Sequence, residues 1–80
     1  MKPDKEALLA EEIRLKKLRR LMDFTAALLW QANLTLGEAQ KLVAGAWERA
    51  LELFPDKGET FDLIYGPRFR RILAQKYQLQ

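Results

Sequence analysis

From Arg14 to Trp30 the apolar positions recur in an alternating three-and-four rhythm: Leu15, Leu18, Met22, Thr25 and Leu29, continued at Ala32. At about 100° per residue these positions, with Leu21 and Leu28, share an arc somewhat wider than a third of a helix. The rhythm lasts about two and a half heptads, short of what a free-standing coiled coil needs, so it predicts a helix packed within a small bundle. Leu9, Ile13, Phe24 and Ala27 fall roughly opposite this seam, and Trp30 lies off its edge. A helix that is apolar on two sides needs two surfaces to pack against.

The same pattern sets the element boundaries. Asp4 is placed to cap a first helix, with Glu6 favourable near its positive end. Neither Gly nor Pro interrupts residues 5–32, so the helix is expected to run over about 4–32 and to end at Asn33 in a left-handed conformation. Thr35-Leu36-Gly37-Glu38 reads as a capping box opening a second helix, which Pro55 stops, over about 36–54. So short a connection predicts an antiparallel hairpin. The apolar face of the second helix is Leu36, Ala39, Val43, Ala46, Trp47, Ala50 and Phe54, which makes Trp47 a core residue. Gly45 falls on its polar side, either as a tolerated defect or as a point where another backbone approaches. Thr60 is expected to cap a short helix over 61–65. Gly66-Pro67 interrupts it, and Pro67 opens a last helix over 67–77 that packs through Phe69, Ile72, Leu73 and Tyr77. Gln78 to Gln80 are expected to fray.

Composition sharpens this to an all-α fold. Fifteen Leu and ten Ala stand against three Ile and one Val, whereas a sheet wants β-branched residues. The 80 residues predict one helical domain over 1–80 with a thin stability margin. A helix over 4–32 would run about 40 Å, against a diameter of roughly 30 Å for a compact domain of this size. Residues 1–13 are therefore expected to form an overhanging helical arm, unless the helix breaks near Glu12.

Several chemistries are removed by what is missing. With no Cys, His or Ser there is no disulfide, no Ser-His-Asp or Cys-His nucleophile and no His-ligated zinc. Glu11 and Glu12 point about 100° apart, so they do not converge. Glu48 and Glu52 share a face one turn apart, but on the solvent side. Pro55-Asp56-Lys57-Gly58 resembles a calcium loop only superficially, since the 12-residue ligand pattern is missing. A Gly-rich phosphate loop is also absent. The expectation is a non-enzymatic protein with no cofactor, no metal and no small-molecule substrate. The charged opening has no secretory pattern, and the longest apolar run, Phe24 to Trp30, is too short for a bilayer, so a cytoplasmic location is expected.

Net charge is +3, gathered into two basic islands. Lys16, Lys17, Arg19 and Arg20, with Arg14, form one, and Arg68, Arg70 and Arg71 form the other. If adjacent, they would suit phosphates, with Phe69, Tyr65 and Tyr77 offering stacking surfaces. A helix-turn-helix reading fails because Thr35–Glu38 leads into one long helix. Membrane-surface binding is disfavoured by the acidic start and by the seam being taken up by the second helix.

The function expected is protein-protein interaction, as a homo-oligomer (a dimer before others) or with another helical protein. The partner-facing apolar residues are Leu8, Leu9, Ile13, Phe24 and Trp30. The alternative for Phe24 and Trp30 is internal cover by the last helix; Leu9 and Ile13 lie too far along to be reached that way. A nucleic-acid-associated accessory protein is the second expectation, through islands 14–20 and 68–71 and with weak sequence specificity.

Overall fold

A computed structural model of the chain describes residues 4–78. Four helices occupy 85% of them, with no strand among the described residues. They are α1 (Lys5–Gln31), α2 (Leu36–Leu53), α3 (Gly58–Ile64) and α4 (Gly66–Tyr77). The overall dimensions are 52 × 21 × 16 Å with a radius of gyration of 14.8 Å. That exceeds the value near 12 Å expected of a compact chain this long, because one element is longer than the body.

Helix α1 is unbroken over 27 residues. Its start is fixed by the Asp4 carboxylate, which accepts from the Glu6 backbone N–H at 3.0 Å. The expected capping box opens α2: the Glu38 N–H donates to Thr35 Oγ1 at 3.1 Å, and the Thr35 N–H donates to Glu38 Oε1 at 3.0 Å. The two helices form the predicted hairpin. Helix α4 then lies against both, running beside α1 in the same direction: Arg68 meets Asp23, and Lys76 reaches the end of α1.

Under α4 lies the core. Met22, Leu29, Ala39, Ala50 and Phe69 have almost no exposed surface, and Leu18, Ala26, Phe54, Phe61 and Ile72 complete the cluster. Trp47 is half-buried, its ring edge-on to Phe69 at 5.9 Å between centroids. The small residues Ala39, Ala46 and Ala50 let α2 come close, and the bulk is supplied by Phe69 from α4.

Three local expectations are corrected. Asn33 is not left-handed; Gln78 alone among described non-glycine residues has positive φ. The end of α1 and the connection after it are tied down by α4 side chains instead. Lys76 Nζ donates to the Leu29 carbonyl and, at 2.6 Å, to that of Ala32, and Tyr77 Oη donates to the Leu34 carbonyl at 2.7 Å. Thr60 caps nothing: α3 begins three residues earlier than expected, at Gly58, with no side-chain cap. With this start Phe61 packs edge-on to Phe54 at 6.1 Å and Tyr65 lies tilted against Phe61 at 6.5 Å between centroids, so packing overrides the cap preference. Leu15, expected in the seam, is exposed because the body ends at Leu18.

Candidate interaction surface

Helix α1 outlasts its cover. Residues 5–17 are all exposed, and Leu18 is the first buried position. Leu8, Leu9, Ile13 and Leu15 are each 44–58% exposed on this arm. Among the described residues its neighbours lie at the root: α3 borders a shallow groove along Glu11 and Leu15, and the Arg14 guanidinium sits 5.3 Å from the centroid of the Phe54 ring. Beside that groove Leu63 and Ile64 are also open to solvent. The arm therefore presents apolar side chains on two faces, Leu9 and Ile13 on one and Leu8 and Leu15 on the other, of which Leu15 borders α3.

Phe24 and Trp30 stay 64% and 48% exposed. Helix α4 does fold back on α1, but over Ala26, guided by the Arg68–Asp23 ion pair at 3.2 Å, and so passes to one side of both rings. Trp30 borders the α1–α4 groove with Arg68, Arg71 and Gln75. Phe24 borders the α1–α2 groove with Lys17, Arg20 and Arg49.

The two basic islands are not pooled. Arg68 and Arg71 belong to the α1–α4 groove, Lys17 and Arg20 to the α1–α2 groove, on different sides of α1. Arg68 is engaged by Asp23, and the Arg70 guanidinium lies back over Gly66, where a Cβ would sit 3.0 Å from it. Lys16 and Arg19 are exposed on α1. Asp23, one turn from Arg19 and Arg20 on α1, pairs across to α4.

Two residues that matter carry no signal in the local sequence pattern. Arg49 adds a third cation beside Phe24 and pairs with Glu52 at 3.4 Å, so Glu52 is already engaged by a cation. Lys76 is the residue that ties α4 to the end of α1. Its place in the last turn of α4 gave no signal, because its role depends on how α4 folds back. Glu38 has its carboxyl held below the ordinary carboxylate value by the Thr35 backbone N–H and then the Thr35 hydroxyl. Among the described residues no group of three or more His, Cys, Asp or Glu is placed to hold a metal. No described helix is long and apolar enough to cross a membrane.

No known protein family, curated protein or solved structure matches the chain.

Proposed function

We propose that the chain is a non-enzymatic helical interaction module that associates with a second copy of itself through α1. The observation that carries this reading is the arm: an unbroken helical segment whose four large apolar residues its own bundle leaves about half exposed. Two copies joined there would remove Leu9 and Ile13, 58% and 53% exposed, from water. The test is molar mass by light scattering as concentration rises from micromolar to millimolar. Wild type is expected to move toward twice the monomer mass, and Leu9→Asp with Ile13→Asp to stay monomeric with its helical circular dichroism intact. A mass that stays monomeric at every concentration overturns the reading.

A second reading has one specific observation behind it, the exposed Phe24 ring with Lys17, Arg20 and Arg49 around it. Cations flanking an aromatic face suit a phosphate backbone with a stacked base. Under this reading Arg20→Glu with Arg49→Glu abolishes binding to single-stranded nucleic acid, binding that otherwise tightens as salt is lowered. Binding unchanged by the double reversal would sink it.

A further inference from the structure

We infer that the second copy lies antiparallel, its arm laid end-over-end along the arm of the first, with charge setting both direction and overlap. This rests on the self-association reading and adds to it an orientation, a register and a salt response.

The outward stripe of the arm is Glu6, Leu9, Ile13, Lys16 and Arg20, spaced three or four apart and all exposed. Charge along it is one-sided. On the stripe itself Glu6 sits toward the tip and Lys16 and Arg20 toward the root, with Lys5 to one side of Glu6 and Lys17 flanking Lys16. In a parallel pair each residue meets its own copy: Glu6 faces Glu6, Lys16 faces Lys16, Arg20 faces Arg20. Every charged contact is then repulsive. Reversing one helix with Leu9 opposite Ile13 pairs those two apolar residues twice across the two-fold axis. The same register puts Glu6 opposite the other copy's Lys16, with Lys17 on its flank, at both ends of the overlap.

A longer antiparallel overlap fails for the same reason the parallel one does. Setting Leu9 opposite Phe24 brings Lys16 against Lys17 and Arg20 against Ile13, so bases crowd the axis. The short overlap also avoids a steric conflict. Each copy's bundle lies on the inner side of α1, around Leu18, Met22, Thr25 and Leu29, while the stripe points the opposite way. Each bundle therefore sits clear of the other at opposite ends of the joined arms.

The chain has no cysteine, so single cysteines report the register cleanly. Glu6→Cys and Lys16→Cys chains are prepared separately, then oxidised alone and as an equal mixture. Both positions are exposed, so neither substitution disturbs the core. Antiparallel arms give a disulfide in the mixture and little in either alone, because like positions stand about 15 Å apart along the axis, beyond disulfide reach. The dissociation constant of wild type should rise several-fold between about 0.1 and 1 M salt, as screening shortens from about 10 Å to 3 Å. Lys16→Glu should weaken the dimer, and Glu6→Lys added to it should restore the affinity. Self-linked Glu6→Cys and Lys16→Cys dimers with no mixed product overturn the antiparallel register but leave self-association standing. A dimeric mass with no cross-link in any sample does the same. A chain that remains monomeric at all concentrations removes both.

Discussion

Leu9 and Ile13 belong to the same unbroken helix as Met22 and Leu29, yet the first pair stands open to water while the second has no exposed surface. The contrast separates two properties that are easily run together. Around Met22 the helix is held by α2 and α4 packed against it. Along residues 5–17 it is held by Ala, Leu, Glu, Lys and Arg, all strong helix formers, and by the Asp4 cap. A segment that short is marginal as a free helix. It persists because the body has already nucleated it. One half of α1 therefore stabilises the fold, and the other half is a surface held out from it.

The largest effects test that division directly. Phe69 is 2% exposed and fills the space between α1 and α2, so Phe69→Ala should cost about 3–5 kcal/mol. That is a large part of the roughly 5–15 kcal/mol of a typical domain, and should lower Tm by roughly 15–30 °C in thermal unfolding. Leu9→Ala with Ile13→Ala, measured where the chain is monomeric, should change stability by less than about 1 kcal/mol. If the arm pair lowers Tm as far as Phe69→Ala, the two halves of α1 are not distinct.

Next in size is the tie that closes the body. Lys76 donates to the carbonyls of Leu29 and Ala32, where the helix leaves unpaired acceptors and partial negative charge. Lys76→Met keeps most of the aliphatic stem and loses the ammonium. The expected loss is about 1.5–3 kcal/mol, read by denaturant unfolding. Amide exchange should quicken at the end of α1 and stay unchanged in the arm, which Lys76 does not touch. Uniform quickening along α1 would mean that arm and body open together.

How far the chain declares this arrangement varies by element. The seam at Leu18, Met22, Thr25 and Leu29, the Thr35–Glu38 box and the Phe69–Ile72–Tyr77 face are all legible, because each is a short-range pattern that the fold retains. The overhang at Leu9 and Ile13 is legible too, from length set against chain size. What is hidden depends on contacts between distant residues. Asn33 marks the helix stop correctly but not its left-handed turn, because Lys76 and Tyr77 supply partners from more than forty positions along the chain. Thr60 looks like a cap until Phe54 draws Phe61 toward it. Whether the two basic islands adjoin is not written in the local pattern; Asp23 claims Arg68, and the helices separate the rest.

Gly45 gives a smaller effect that bears on the free surface. It lies mid-helix in α2, exposed, and a Cβ there would meet nothing within 4 Å. Among the described residues no backbone of another element approaches it. Gly45→Ala should therefore stabilise the monomer by about 0.5–1 kcal/mol, through the entropy the unfolded chain no longer has to lose. Stabilisation accompanied by a weaker dimer would show a partner's backbone using the site, and would move the interface from the arm to the α1–α2 side.

The smallest expected effect is electrostatic and belongs to the body alone. Glu38 has its carboxyl below the ordinary value of 4.5, chiefly through the Thr35 backbone N–H it accepts from. A carboxyl lowered in the folded state binds its proton first in the unfolded chain. Its contribution is thus present above the ordinary value and is lost as pH falls through the folded one. In Glu38→Gln the amide oxygen still accepts from Thr35 but no proton is taken up, so the stability of this variant should fall less steeply in acid than that of wild type. Thermal unfolding of the two chains from about pH 7 to pH 3 reads the difference, and parallel curves would mean that the capping box carries no charge-dependent stability. Because Glu38 opens α2 in the body, the same titration should leave the helicity of the arm unaltered. A loss of arm helicity that follows the Glu38 titration would join at the level of energy the two halves that are separate in structure.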